Sequence, residues 1–231
     1  MNAQTDFNTA STAVPDLYYA VHKGIRLANA RLLVALGQSD PADPAQIDAV
    51  LAQLAWHLDM CFTHLKHENA KIHAAVDARL PGGADHAADD HDHHLAAFDA
   101  LRTLAEALAV ADDAARPSVL RRLYQRFALF VADDFQHMHE EETRLMPLIA
   151  AQFSAAEVEG IEHAIVSSIA PEMMIPFMRV MLGAATRSER IARVEGMQAG
   201  MPPEGFAQVF AAVVHPGWRM GDWDEMERVL C

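Results

Sequence analysis

Two stretches of the chain place an imidazole and a carboxylate four residues apart: FTHLKHENAKI, from Phe62, and FQHMHEEETRL, from Phe135. Superposed, Phe62 matches Phe135, His64 matches His137, Glu68 matches Glu141 and Ile72 matches Leu145, at a constant offset of 73 residues. Residues four apart on an α-helix share a face, so each pair presents a nitrogen and an oxygen donor side by side. Such donors suit iron, manganese or zinc, whereas calcium and magnesium sites want oxygen alone. Apolar neighbours turn both pairs inward. A carboxylate in a helical core carries a heavy desolvation cost unless it is paired or bound to a cation, and two facing each other repel. A pair of metal ions bridged by both carboxylates removes the conflict.

Helices must hold these residues. The breakers GQSDPADP (37 to 44), LPGGADHAADD (80 to 90) and ADDAARP (111 to 117) separate four segments of helical periodicity. Asp43, Pro44 and Gln46 supply an N-cap, a first-turn proline and a capping-box partner for the second helix. Pro117 takes the same first-turn place in the fourth, again 73 residues on. Ile47, Leu54, Leu58, Cys61 and Leu65 line the second helix and Leu120, Leu123, Phe127 and Phe130 the fourth, at three- and four-residue steps. His22 stands over Ile25, Leu32 and Leu36 on the first, and His94 over Phe98, Leu101 and Leu108 on the third. Short connections between four amphipathic helices predict an all-α, up-down-up-down antiparallel four-helix bundle. A helical hairpin brings together residues equidistant from its turn, which sets His22 beside His64 and His94 beside His137.

The chain divides into a flexible stretch 1–14, the bundle 15–153 and a C-terminal appendage of short helices, 154–231. In the appendage SAAE at Ser154–Glu157 and TRSE at Thr186–Glu189 are capping boxes, and DWDEMERVL reads as a last helix. Pro171, Pro176, Pro202, Pro203 and Pro216 interrupt it, and Met173, Met174, Met178 and Met181 are expected to fill a core. Around the ligands, Asp134 is placed to accept the free ring N–H of a histidine, with Cys61 as its counterpart on the second helix. Tyr18 and Tyr19 lie one turn before His22, where packing is their expected role and a hydrogen bond to a bound oxygen species the alternative. His57 and His73 are read as lying beside the centre or on the surface. His67, His139, Glu140 and Glu142 are read as solvated, and His86, His163 and His215 as ordinary.

Composition narrows the setting. Lys and Arg total 18 against 32 Asp and Glu, a net charge of −14 that repels nucleic acid and anionic membrane surfaces alike. Two cysteines, Cys61 and Cys231, give no disulfide framework and fit a reducing cytoplasm. The first residues carry no secretory pattern, and no apolar run is long enough for a membrane span.

The residues from about 15 to 153 resemble the hemerythrin-like, histidine-histidine-glutamate cation-binding family. The resemblance implies a four-helix bundle around two iron ions, a non-haem, oxo- or hydroxo-bridged pair joined by two carboxylates and held by histidines. It implies binding of dioxygen or nitric oxide at an open iron position. Carried over by position, it makes His22, His64, Glu68, His94, His137 and Glu141 the ligands. On the third helix DDHDHHLAAF also offers His91, on the same face as His94, so either or both can ligate. Manganese or zinc remain alternatives to iron. The doubled His-x-x-x-Glu is more similar to the bacterial iron-sulfur-repair branch than to invertebrate oxygen carriers, which end on His-x-x-x-x-Asp. Gas binding, sensing or storage is the expected role, since no group beside the ligands reads as a substrate-positioning pocket. The alternatives are a di-iron enzyme consuming dioxygen, peroxide or nitric oxide, an iron donor for cluster repair, and a sensor acting through the C-terminal helices. A homodimer is left open.

Overall fold

The structure, a computed structural model, describes residues 14–213, and every regular element among them is helical. Helix α1 spans Tyr19–Gln38. Asp43 then opens α2 (Pro44–His67): its carboxylate accepts the N–H groups of Ala45 and Gln46, while Pro44 occupies the first turn, where no N–H is needed. α3 (Ala74–Arg79) closes this arm. α4 (Asp85–Ala109) and α5 (Arg116–Glu140) form the next pair, with α6 (Met146–Gln152) after them.

Between α2 and α3 runs a π-helical segment, Glu68–His73, and between α5 and α6 another, Glu141–Leu145. Each opens on the glutamate of the repeated motif. In each a backbone bond spans five residues, from the Ala74 N–H to the Asn69 carbonyl and from the Met146 N–H to the Glu141 carbonyl. The offset of 73 seen in the ligands is thus also an offset in the backbone.

Helix α1 packs on α2 and α5, and α4 on α2 and α5. The four meet around Leu32, Leu54, Leu58, Leu101, Leu123, Phe127 and Phe130, all essentially inaccessible. Burying such side chains is worth about 2 kcal/mol each at roughly 25 cal/mol per Å². The turn before α4 is shorter than the breaker 80–90 suggests. Gly82 adopts φ 79°, and a Cβ on Gly83 would sit 2.9 Å from the Leu80 carbonyl oxygen, so two glycines complete the reversal. The acidic residues that follow are free to form the first turns of α4.

In the extension, Ser154 and Glu157 cap α7 (Ala155–Val166), and Thr186 and Glu189 cap α9 (Arg187–Gly200), each through a reciprocal box as expected. α8 (Pro171–Ala184) continues through Pro176 rather than stopping there, and α10 (Pro203–Val213) packs on it. Helix α8 lies along α1. Gly24 permits this, because a Cβ there would come 3.1 Å from Val180 Cγ1 and 3.4 Å from the Met181 Cα. Met173 joins the main core and Met178 the small core of the extension. DWDEMERVL, His215, Pro216 and Cys231 lie outside the described residues, as does all of 1–14 except Val14. Among the described residues no single helix is long and apolar enough to cross a membrane; α7 and α8 meet that test only jointly, as a pair bent by 119°.

Candidate metal centre

Six segments converge on one buried spot. Helix α1 brings His22, α2 brings His64, and the first π segment brings Glu68 and His73. Helix α4 brings His91, α5 brings His137, and the second π segment brings Glu141. Two ligand groups overlap there: His22, His64 and Glu68 in one, and Glu68, His91, His137 and Glu141 in the other, with the ligand atoms of each within 4.8 Å of one another. Glu68 belongs to both.

Glu68 Oε1 lies 3.1 Å from His64 Nε2 and 3.6 Å from His22 Nε2, while its Oε2 lies 3.5 Å from His91 Nε2. Glu141 Oε2 lies 3.2 Å from His137 Nε2 and 3.4 Å from His22 Nε2. His91 Nε2 and His137 Nε2 approach to 3.0 Å. Donors about 2.1 Å from a shared cation and at right angles to each other stand about 3 Å apart, so these separations fit ligand atoms gathered on cations.

Three of the imidazoles are held by their other nitrogen. His22 Nδ1 donates to Glu142 Oε1 at 3.0 Å, His91 Nδ1 to Asn69 Oδ1 at 2.7 Å, and His137 Nδ1 to Asp90 Oδ2 at 3.3 Å. An Nδ1–H fixed on oxygen leaves the Nε2 lone pair facing the centre, the usual arrangement of a ligating histidine. The expectation that Asp134 plays this part is corrected. Its Oδ2 accepts from Asn29 Nδ2 at 2.6 Å, and Asn29 Oδ1 in turn faces His57 Nε2 at 2.8 Å. Cys61 Sγ lies 3.5 Å from the same His57 nitrogen. His57 is therefore buried in a polar chain beneath the centre, and burial pushes its pKa down to about 4. Glu142, read as solvated, is half-buried and shared between His22 and Arg26.

The electrostatics call for positive charge. All four carboxylate oxygens of Glu68 and Glu141 are buried without a hydrogen-bond partner among the described residues, as is His22 Nε2. Such groups ordinarily cost kilocalories. Burial, then the neighbouring Glu141, pushes the Glu68 carboxyl up to about 7. Burial opposes charge on Glu141 as well, but the imidazoles of His137 and His73 hold its carboxyl well below the usual range. Burial likewise opposes charge on His22, yet Glu142 and Glu68 raise it to about 9, and Glu141 does the same for His137. Without cations the pocket competes for protons to balance two carboxylates; a bound metal supplies that charge instead.

His64, Glu68, His137 and Glu141 meet as their spacing suggests, and His22 joins them from the level found by counting. On α4 it is His91 that stands among the ligand atoms. His94 is buried one turn away, edge-on to His137 with ring centroids 5.0 Å apart, and belongs to neither group. Sequence reasoning did not place His73 at the centre. It is 4% exposed, its Nε2 is 3.5 Å from Glu141 Oε1, and its ring stacks on His91 at 4.9 Å. In a regular helix a residue five after Glu68 points about 140° away from it; the wider π turn brings it back over the site. Tyr18 is fully buried with its ring 5.2 Å from His22 and its hydroxyl unpartnered among the described residues, while Tyr19 lies on the surface under Lys23.

Comparison with family models, with curated proteins and with solved structures yields no match for this chain. The buried histidine and glutamate cluster, with its donors at metal-ligand separations, stands on its own geometry as a site that can hold metal.

Proposed function

We propose that this is a hemerythrin-like protein: an up-down-up-down four-helix bundle whose centre holds a non-haem di-iron pair and reversibly binds dioxygen or nitric oxide. One observation carries the reading. The four oxygens of Glu68 and Glu141 sit buried and unpartnered amid imidazoles whose Nε2 atoms face them. Bound iron would supply redox-active Lewis-acid positions for a diatomic ligand.

The chain's own residues do the rest. His22, His64, His91, His137 and His73 offer nitrogens, and Glu68 and Glu141 offer carboxylates placed between both halves. No thiolate enters the set, since Cys61 is buried against His57; the donors favour iron, with manganese or zinc the alternatives. Burial also raises the Cys61 thiol, which keeps it protonated and inert and fits the reducing cytosol we take as its compartment. A cleft of about 200 Å³, lined by Ala87, Leu145 and Leu148 as well as His137 and Glu141, reaches the centre. Its size favours a small ligand over a larger substrate.

Elemental analysis of the purified chain should find two irons, with near-ultraviolet absorption of a ferric pair that changes when nitric oxide or dioxygen is added to the reduced protein. His64→Ala combined with His137→Ala should abolish both. Near-stoichiometric iron in that double variant would refute the assignment.

A second reading, a sensor acting through the C-terminal helices, is favoured by one contact: α8 presses on α1 at Gly24, two residues from His22. Hydrogen exchange in α8 that is identical with and without metal would remove it.

A further inference from the structure

We infer that His86, Asp90 and Glu140 form a second, surface cation site that receives a divalent metal ion before it reaches the buried centre. The destination rests on the di-metal reading; the binding itself does not. His86 and Asp90 are four apart on α4 and share a face, and Glu140 ends α5 opposite them. One ligand atom from each lies within 4.8 Å of the others, and His86 Nε2 is 2.6 Å from Glu140 Oε2. One imidazole and two carboxylates, partly open to water, form a donor set for a hydrated first-row divalent cation such as Fe²⁺, Mn²⁺ or Zn²⁺.

What lies behind the cluster gives it a direction. His86, Asp90 and Glu140 line the same cleft as His137 and Glu141. Glu141 is 1% exposed, and neither of its oxygens has a hydrogen-bond partner among the described residues, so a buried carboxylate faced by imidazoles borders the space the outer cluster opens into. Asp90 stands in both places, holding the His137 ring N–H with Oδ2 while belonging to the outer cluster. A second cleft, of about 370 Å³, is lined by the same three residues together with Asp133 and Arg126. The first cleft therefore carries nitrogen and oxygen donors of both the outer cluster and the buried centre in one lining.

The other half of the repeat lacks this arrangement. The residue 73 before Glu140 is His67, and those 73 before His86 and Asp90 are Ala13 and Leu17, so the sequence there offers no carboxylate at any of the three places. Arg144 Nη1 lies 3.4 Å from Glu140 Oε2 with its side chain 72% exposed. It occupies the carboxylate as a replaceable cation, free to swing into solvent when a metal ion arrives.

The test uses the metal-free full chain. Titration with Mn²⁺, followed by electron paramagnetic resonance, should resolve two tight equivalents and one weaker. His86→Ala with Glu140→Gln should lose the weaker equivalent, keep the tight pair, and load Fe²⁺ on the order of tenfold more slowly by stopped-flow absorption. Arg144→Gln should strengthen the weaker equivalent. Glu68→Gln with Glu141→Gln should lose the tight pair and keep the weaker one, which separates failure of the outer site from failure of the buried centre. A wild-type chain that saturates without the weaker equivalent overturns the surface site. Loss of that equivalent with unchanged loading overturns its role as the way in.

Discussion

An imidazole can ligate through either nitrogen, and the partner of the other one fixes which. At His22, His91 and His137 that partner is an oxygen of Glu142, Asn69 or Asp90, each from a different element. Spacing within one helix therefore identified His64 with Glu68 and His137 with Glu141, because four residues on a helix is a local rule. Counting through the third loop favoured His94 over His91, three apart on one face, and the structure corrects it to His91, since the choice depends on how far α4 slides along α5. The same limit applies to Asp134: its stripe position was legible, but its partner, Asn29, comes from another helix. The distinction is measurable. His91→Ala should lower metal affinity by about 10-fold to 100-fold or more and reduce the bound equivalents on elemental analysis, while His94→Ala keeps them. Equal losses in the two variants would return His94 to the ligand set.

Elements were legible where their determinants are local. The capping boxes at Ser154 and Thr186 and the aspartate-proline start of α2 follow from side chains that bond their own helix ends. The start of α4 was not, because its aspartates read as a loop while Gly82 and Gly83 had already made the turn. The π segments were invisible for a different reason. ENAKIH and EETRL share a glutamate, a basic residue and an aliphatic residue at matching places, a pattern equally at home in a regular α-helix, so nothing in it announces a wider turn. Deleting Ala70, which is exposed, should collapse the first π segment to α. His73 then stands four residues after Glu68, about 40° round an α-helix and still on its face, and Ile72 and Val76 keep their register with the core. The expected outcome is retained metal and helix content, read by elemental analysis and circular dichroism. Loss of metal in the deletion variant would show that the wide turn itself is needed, and not only the face it presents.

For the molecule as a whole, the sequence showed that a helical extension exists and not where it docks. Docking is a matter of surfaces: Phe177 enters the main core, and Lys23 Nζ meets Glu189 Oε2 at 2.6 Å. The hydrogen bond from Lys23, then that from the Thr186 backbone, holds the Glu189 carboxyl down at about 2 against an ordinary 4.5. A depressed carboxyl stabilises the folded arrangement fully above its ordinary value and loses that contribution as pH falls through its folded value. The link between α1 and α9 should therefore hold above about pH 5 and weaken between about pH 4.5 and pH 2. Hydrogen exchange in α9 should rise over that window in the wild type. It should already be raised at neutral pH in Glu189→Gln, where less of the rise then remains; a variant with the wild-type profile would remove the pair from docking.

Gly24 sets the tolerance of that assembly. It occupies the crossing of α1 and α8, between the histidine at 22 and the lysine-glutamate link at 23 on one side and the backbone of Met181 on the other. A side chain there would act as a wedge, tilting one rod against the other by an amount fixed by its bulk. The chain has put its smallest residue at the fulcrum, where the spacing of the two rods is set by bare backbone.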